Sequence, residues 1–238
     1  MDGFGAEPLV WLRAEGWDPE SGGWKNNGTG GDFQNVLASG TAGLLYSAGH
    51  GARGKILSVQ GGTGTMLNFG NVVPKMYTMC SLTRYAGKTQ GRILNGDGVN
   101  WFQGHWKGKS GVAYFHGWRT QHKKSFWKTN TRWIAMCSKN SGKPPNNVLV
   151  NGQPVGTKAG GAAPTGLLIN GGIHGNQRSD FAIAELMIWD GALTDFHMSK
   201  AMTHLMQRLN NRNVTMADEQ QALAAVKKAN LVAQRRHR

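Results

Sequence analysis

Short stretches in which apolar and polar residues alternate, separated by turn-forming residues, dominate most of this chain. The predicted strands cover residues 55–59, 65–69, 76–85, 91–95, 100–106, 111–118, 131–138, 148–151, 166–170 and 181–189. The sequence Val150-Asn151-Gly152-Gln153 is typical of a two-residue hairpin whose turn residues both take positive φ. Many short strands at this spacing predict an all-β sandwich rather than a parallel α/β sheet.

The last strand is followed by a change of period. Stretch 181–189 is apolar except at Glu185, which is typical of a central strand covered on both faces. Thr194 then suits the cap of a helix, and Leu193 is placed to pack towards Met198 as a hydrophobic staple. One apolar stripe follows on this helix: Met198, Ala201, Met202, Leu205 and Leu209. We expect the helix to lie on the sandwich.

A second helix is predicted from Thr215 to about Gln234, after a break at 210–213. Its face consists mostly of alanine, which is a weak surface for packing on a sandwich. The cations expected to contact a partner are Lys227, Lys228, Arg235, Arg236 and Arg238. A solvated helix with a basic end is the alternative. The chain therefore divides into a sandwich with a packed closing helix, 1–209, and a basic helical C-terminal arm, 210–238.

Charge is distributed unevenly along the 238 residues, whose net charge is +14. Between Phe33 and Ser179 there are seventeen Lys or Arg residues and one acid, Asp97. Such a stretch creates a broad positive field that concentrates anionic partners. It also lacks the carboxylates that most acid–base chemistry needs. The charge pattern thus predicts a polyanion or an acidic protein surface as partner.

Cysteine usage and the chain start bear on the compartment. Cys80 and Cys137 are expected to be two buried thiols, and a disulfide is the alternative if their strands are neighbours. The start has neither the basic nor the apolar region of a signal peptide. No apolar run reaches the roughly 18 residues of a membrane span. These features favour an intracellular or particle-associated protein, unless the chain is a processed fragment.

Three motifs, in order, resemble one protein family. Residues 8–14 (Pro-Leu-Val-Trp-Leu-Arg-Ala), followed by 23–26 (Gly-Trp-Lys-Asn), resemble the start of concanavalin A-like, laminin-G-like jelly-roll domains. Residues 150–152 match their Val-Asn-Gly hairpin, and 183–190 with 193–194 resemble their closing strand and helix. The resemblance covers about 8–209 and implies an all-β, concanavalin A-like jelly-roll β-sandwich with C-terminal helices. Because this fold hosts lectins, glucanases, lyases, adhesion modules and structural domains, it implies little about function.

Catalysis finds little support in the sequence. Glucanases of this fold need two carboxyl groups about 5 Å apart. Their Glu-x-Asp-x-x-Glu strand motif is missing, and Asp180, Glu185 and Asp190 stand five apart, on opposite faces of a strand. The Arg-rich and Gln-x-His motifs of the related lyases are missing too. His and Cys spacing suits no transition metal, and carboxylates are too scarce for calcium. We therefore expect a non-catalytic protein without cofactor or metal.

The densest mixture of aromatic and basic side chains lies at residues 100–133. On the strand 100–106, Phe102 and Trp106 share one face, while Trp101, Gln103 and His105 share the other, so one set is expected in the core. Stretch 119–128 shows no alternation and is predicted to be an exposed loop. The candidate ligand-binding residues are Trp106, Lys107, Lys109, Arg119, His122, Lys123, Lys124, Trp127 and Lys128. Core packing of the aromatics and a merely solvated loop are the alternatives.

Two functions are compatible with these features. The first is a non-catalytic binding module of lectin or laminin-G type, whose charge favours acidic ligands or sulfated glycans. The second is a structural subunit of a large assembly, such as a ribonucleoprotein or an organellar or viral particle, that grips RNA or an acidic protein through its basic body and arm. Deleting 210–238 should leave glycan binding intact and abolish assembly, which distinguishes the two.

Overall fold

A computed structural model of the protein describes residues 4–172, 174 and 176–210. Over these residues the chain forms fifteen strands and one helix. The elements are β1 Val10–Asp18, β2 Gly23–Asn26, β3 Leu37–Ser39, β4 Ala42–Ser47, β5 Ile56–Gly61, β6 Met66–Asn68, β7 Tyr77–Gln90, β8 Leu94–Asp97, β9 Trp101–Trp106, β10 Lys109–Phe115, β11 Ile134–Lys139, β12 Val148–Val150, β13 Gln153–Pro154, β14 Gly166–Ile169, β15 Ser179–Asp190 and α1 Asp195–Asn210. The predicted second helix and arm, with Lys227, Lys228, Arg235, Arg236 and Arg238, lie outside the described residues.

The strands form two antiparallel sheets. A nine-stranded sheet has the order β13-β12-β11-β7-β15-β1-β2, and β5, paired with β4, lies beside β1 on the same edge of β15. A six-stranded sheet has the order β10-β9-β8-β14-β6-β3. Their inner faces pack together, so the predicted all-β sandwich with a helix after its last strand is confirmed.

The inter-sheet core takes one face of each strand. Trp101 and Phe115 of the six-stranded sheet pack at 5.5 Å between ring centroids, next to Tyr77 of the nine-stranded sheet. The indole nitrogen of Trp101 donates a hydrogen bond to the Tyr77 hydroxyl at 2.7 Å, so this polar atom is satisfied inside the core. Because side chains alternate along β9, the inward position of Trp101 turns its neighbour Phe102 outward.

Helix α1 covers the outer face of the nine-stranded sheet. Its cap is the predicted one: the Thr194 hydroxyl accepts a hydrogen bond from the His197 amide at 3.2 Å, and the Thr194 carbonyl accepts one from the Met198 amide at 2.9 Å. The predicted apolar stripe is buried against strands β7, β11 and β15. Among the residues that the structure describes, no helix is long and apolar enough to cross a membrane.

A disulfide joins Cys80 and Cys137, so the expectation of two free thiols is wrong. The two residues stand directly opposite each other on the neighbouring strands β7 and β11. Both are fully buried beneath α1. Pairing across 57 residues depends on which strands become neighbours, which a local pattern does not reveal.

Candidate binding surface

Strands β9 and β10 place a group of aromatic rings on the outer face of the six-stranded sheet, at its edge. Phe102 lies between two nearly parallel rings, Trp106 at 6.0 Å and 13° and Tyr114 at 5.6 Å and 11°. Tyr114 is the cross-strand partner of Phe102. Trp118 stands edge-on against all three rings, at 5.1 to 5.6 Å between centroids. We call Phe102, Trp106, Tyr114 and Trp118 the aromatic cluster.

Two tight turns assemble the aromatic cluster. Lys107 and Gly108 join β9 to β10 with φ values of 46° and 74°, the left-handed conformations of a two-residue hairpin turn. After β10, the chain turns back at Gly117, with φ of 151°, and Trp118 forms a bridge to Tyr114. The second turn brings Trp118 onto the sheet from outside the strands.

Three cations lie over these rings. The ammonium nitrogens of Lys107 and Lys109 are 5.2 and 4.9 Å from the centroid of the Trp106 ring. The guanidinium carbon of Arg92 is 4.5 Å from the centroid of the Phe102 ring. Cations in these positions are attracted by the negative faces of the rings. The Lys107 side chain is exposed and that of Lys109 half-buried, so both charges remain accessible to a ligand.

Arg92 differs from the two lysines because it is only 3% exposed. Its Nε donates to the Gln177 side-chain oxygen at 3.1 Å, and its Nη1 donates to the Asn95 side-chain oxygen at 3.1 Å. The same Gln177 oxygen accepts a hydrogen bond from the Trp106 indole at 3.0 Å. Burial lowers the pKa of Arg92 to about 10, which still leaves it charged at neutral pH. None of the described carboxylates forms an ion pair with it, and a buried cation without a counter-ion favours an approaching anion.

The structure brings together part of the predicted site. Trp106, Lys107 and Lys109 meet at the aromatic cluster, and His122 joins them because its ring stacks on Trp118 at 4.9 Å and 28°. The exposed loop is confirmed for a run of side chains that reach solvent: His122, Lys123, Lys124 and Lys128. Whether these residues bind a ligand stays a prediction.

Two predicted residues lie elsewhere. Arg119 is only 6% exposed, and its Nη1 and Nη2 donate to the carbonyls of Trp118 and Phe115 at 3.3 and 3.1 Å. The prediction that the exposed loop begins at Arg119 is therefore wrong, because this side chain holds the turn after β10 from inside. Trp127 packs partly against the inter-sheet core, and the Arg132 guanidinium covers its ring at 3.8 Å.

Several residues of this surface were not among the candidates. Phe102 could have been included from the sequence, because alternation along β9 places it on the same strand face as Trp106. Tyr114 and Trp118 lie within the same dense stretch, but their contacts depend on strand register and on the turn at Gly117. No sequence pattern pointed to Arg92 or Gln177. Arg92 precedes β8 and Gln177 precedes β15, and these two segments meet only in the folded chain.

The outer face of the nine-stranded sheet is charged too, and there the buried carboxylate beneath α1 has cationic partners. Glu185 is fully buried beneath α1 and accepts hydrogen bonds from the Trp11 indole at 2.6 Å, from His204 at 2.8 Å and from Arg208 at 2.8 Å. Arg208 also donates to Glu15 at 2.8 Å. Burial alone would raise the pKa of Glu185, but the bond from His204 and the charge of Arg208 lower it to about 2.

A bulge in β15 explains the position of Glu185. The register with β7 shifts between Ile183 and Glu185, so counting alternate residues from Asp180, as the sequence argument did, does not assign the faces correctly. The Asp180 carboxylate accepts a hydrogen bond from the Thr89 amide at 2.9 Å, and Glu185 is sealed under α1. The two carboxylates are thus separately engaged. Over the described residues, no three His, Cys, Asp or Glu side chains converge as metal ligands.

Comparison with known proteins gives the fold. No family model matches the chain, and no curated protein matches it. Domain 4 of AbnA, a GH43 extracellular arabinanase from Geobacillus stearothermophilus solved with arabinotriose, is similar with a TM-score of 0.53 and 15% identity over 83% of this chain and 98% of that one.

Two further solved structures are less similar. They are the binding domain of Paraclostridial Mosquitocidal Protein 1 (TM-score 0.47, 11% identity, 83% of this chain and 52% of that one) and Trypanosoma rangeli sialidase (0.45, 12%, 85% and 33%). The chain thus spans about half of the first protein and a third of the second. Since the neighbours include enzymes and binding domains at low identity, the comparisons show the β-sandwich alone.

Proposed function

We propose that this protein is a non-catalytic binding module that takes an acidic glycan on the outer face of its six-stranded sheet. The observation that carries the proposal is the aromatic cluster with three cations over its rings. Aromatic rings pack against the apolar faces of sugars, and Lys and Arg pair with sulfate or carboxylate groups. The described carboxylates form no ion pair with Arg92, Lys107 or Lys109, so the two lysines are available to a ligand and the buried Arg92 adds its positive field.

The fold supports a glycan module without specifying its ligand. Arabinanase domain 4 was solved with arabinotriose, so a sandwich of this kind can carry a sugar site. Because that likeness concerns the fold alone, the preference for an acidic ligand rests on the residues of this chain. Lys107 and Lys109 can pair with an anion directly, and the buried Arg92 adds a charge whose field is little screened by water.

The Cys80–Cys137 disulfide adds support from a different direction. Disulfides form and persist mainly in oxidising compartments, where cell-surface and extracellular glycans also occur. The bond thus favours a location outside the reducing cytosol, in contrast to the intracellular location that the chain start predicted. The competing function, a subunit that grips RNA through its arm, depends on residues outside those described and stays a prediction.

The decisive test compares ligands and matched variants in one titration. We expect a sulfated or uronate oligosaccharide to bind wild type more tightly than a neutral oligosaccharide of equal length. Trp106→Ala should weaken this binding about tenfold, because loss of one stacking ring typically costs about 1–3 kcal/mol. Phe196→Ala is the control. Phe196 is an exposed aromatic residue on α1, and the ammonium nitrogen of Lys200 lies 4.8 Å from its ring centroid.

Single-stranded RNA and a salt series complete the design. Glycan binding through stacking and ion pairs should retain measurable affinity at high salt, whereas binding by charge alone falls steeply with salt. If Trp106→Ala and Phe196→Ala bind the acidic glycan equally well, the aromatic cluster is not the site. If RNA binds tightly and the acidic glycan does not, the subunit function replaces the one proposed.

A further inference from the structure

A pocket separate from the aromatic cluster lies where the edge of the nine-stranded sheet meets the end of α1. Its volume is about 210 Å³. The β12–β13 turn, the loop after β10, Gly51 and the last turn of α1 line it. It shares no residue with the aromatic cluster. We propose that this pocket binds a single carboxylate-bearing sugar ring, such as a hexuronate.

Aromatic side chains form one wall of this pocket. Trp127 and Phe126 meet edge to face at 5.0 Å and 85°. The Trp127 indole donates to the Trp133 carbonyl at 3.3 Å, which fixes the ring against the start of β11. Arg132 stacks on Trp127 with its guanidinium carbon 3.8 Å from the ring centroid. Because Arg132 covers one face of the Trp127 ring, the pocket wall consists of the remaining surface of Trp127, the Phe126 ring and the guanidinium, all held in place before a ligand binds.

The polar lining of the pocket consists of one guanidinium, that of Arg132, and the side-chain amides of Asn151, Gln153 and Asn210. The side-chain oxygen of Asn151 is occupied by the Ala135 amide at 2.8 Å, which leaves its NH₂ group for a ligand. No carboxylate is among the lining residues. A guanidinium without a carboxylate partner favours a ligand that brings acceptors, and a carboxylate brings the strongest ones.

The surrounding charge points the same way. A second guanidinium, that of Arg84, lies over the Trp133 ring at 5.3 Å and is almost completely buried. Its Nη1 donates to the Tyr85 carbonyl at 2.9 Å, while its Nε has no partner. Neither Arg84 nor Arg132 forms an ion pair with any described carboxylate. Arg132 lines the pocket and can pair with a ligand anion, whereas the buried Arg84 lies outside the lining and adds only to the positive field.

The size of the pocket limits the ligand to one ring. A volume of about 210 Å³ has room for roughly seven water molecules, below the roughly 300 Å³ of typical drug-sized sites. The residues predicted as one site thus divide between two places, with Trp106, Lys107 and Lys109 at the aromatic cluster and Trp127 here.

Methyl NMR of the full chain tests the proposal with D-glucuronate and D-glucose as probes. Met206 lines the pocket, so its methyl resonance reports on occupancy, while Met79 in the inter-sheet core serves as the internal reference. We expect glucuronate, but not glucose, to shift the Met206 methyl resonance in a saturable way. The resonance is assigned by its loss in Met206→Leu.

Two variants with the same change of charge locate the interaction. Arg132→Gln should weaken glucuronate binding at least fivefold, whereas Lys143→Gln, which changes an exposed lysine outside the pocket lining, should leave it unchanged. Trp106→Ala should also leave it unchanged, which separates this pocket from the aromatic cluster. Equal effects of Arg132→Gln and Lys143→Gln, or no Met206 shift up to tens of millimolar glucuronate, would overturn the proposal. Thermal unfolding of each variant verifies that it is folded.

Discussion

The two outer faces of the sandwich treat charge in opposite ways. Under α1, the buried carboxylate Glu185 is matched by Arg208 and His204, at 2.8 Å each. On the six-stranded sheet, the buried guanidinium Arg92 has two amide oxygens and a phenyl ring as partners, and none of the described carboxylates. The covered face thus neutralises its buried carboxylate, whereas the open face leaves its buried guanidinium without a partner among the described carboxylates.

This difference distinguishes the residues that stabilise the fold from those that we expect to bind a ligand. A helix that covers a sheet removes charges from water, so each charge there needs a partner for the fold to be stable. A face without a covering helix can leave a cation unpaired, because water and polarizable rings partly solvate it. Substitutions on the covered face should therefore change stability, and those on the open face should change binding.

The largest expected effect belongs to the cross-link beneath α1. Replacing both Cys80 and Cys137 with Ala should lower the free energy of unfolding by about 4 kcal/mol, since the bond closes a loop of 57 residues. Urea unfolding measures this, and glycan affinity should stay the same because the open face is not involved. Two reactive thiols in denatured, unreduced wild type would contradict it.

Arg→Gln substitutions on the two faces give the sharpest comparison. Arg208→Gln should cost about 3 kcal/mol, because it leaves the buried Glu185 carboxylate with less compensation. Arg92→Gln should change stability by less than about 1 kcal/mol, since it removes a buried charge that has no ion partner. Its acidic-glycan affinity should instead fall about fivefold, because the buried guanidinium attracts the anion through its field and not through a direct contact. Urea unfolding and glycan titration of both variants measure these effects. Similar losses of stability and of affinity in the two variants would remove the distinction between the faces.

The pH dependence of stability should reflect the titration of Glu185, the buried carboxylate of the covered face. The pKa of Glu185 is about 2 in the folded protein and 4.5 when unperturbed, so its stabilising contribution is present above pH 4.5 and is lost as pH falls from 4.5 towards 2. This linkage amounts to about 3 kcal/mol. The stability difference between wild type and Glu185→Gln should shrink over this range. A difference that stays constant between pH 6 and pH 3 would contradict the pairing.

The smallest expected effect compares two lysines in the same local arrangement. Lys109 lies 4.9 Å over Trp106 on the open face, and Lys200 lies 4.8 Å over Phe196 on α1. Lys109→Gln should weaken acidic-glycan binding about threefold, the scale of a partly exposed cation–π and ion-pair contact. Lys200→Gln should have no effect. Equal effects would mean that overall charge, rather than the aromatic cluster, drives binding.

Local pattern was enough for much of the fold. The Asn151-Gly152 turn has the φ values of 47° and 81° that its sequence predicts, and α1 buries the stripe that its period predicts. The strands β3 and β4 were not predicted, because they are short, partly exposed and include small or polar residues. Of the candidate site, Trp106, Lys107 and Lys109 could be found because one hairpin turn holds them together.

What the sequence by itself determined is therefore what short-range physics controls. Alternation, turn chemistry and capping set the strands, the hairpins and α1, and the scarcity of carboxylates set the sign of the field. Only the tertiary structure decided that Cys80 meets Cys137, that a bulge turns Glu185 towards α1, that Arg119 is buried and that Arg92 lies beneath Trp106 and Gln177. These outcomes depend on strand register and on desolvation, and both arise from contacts between residues far apart in the chain.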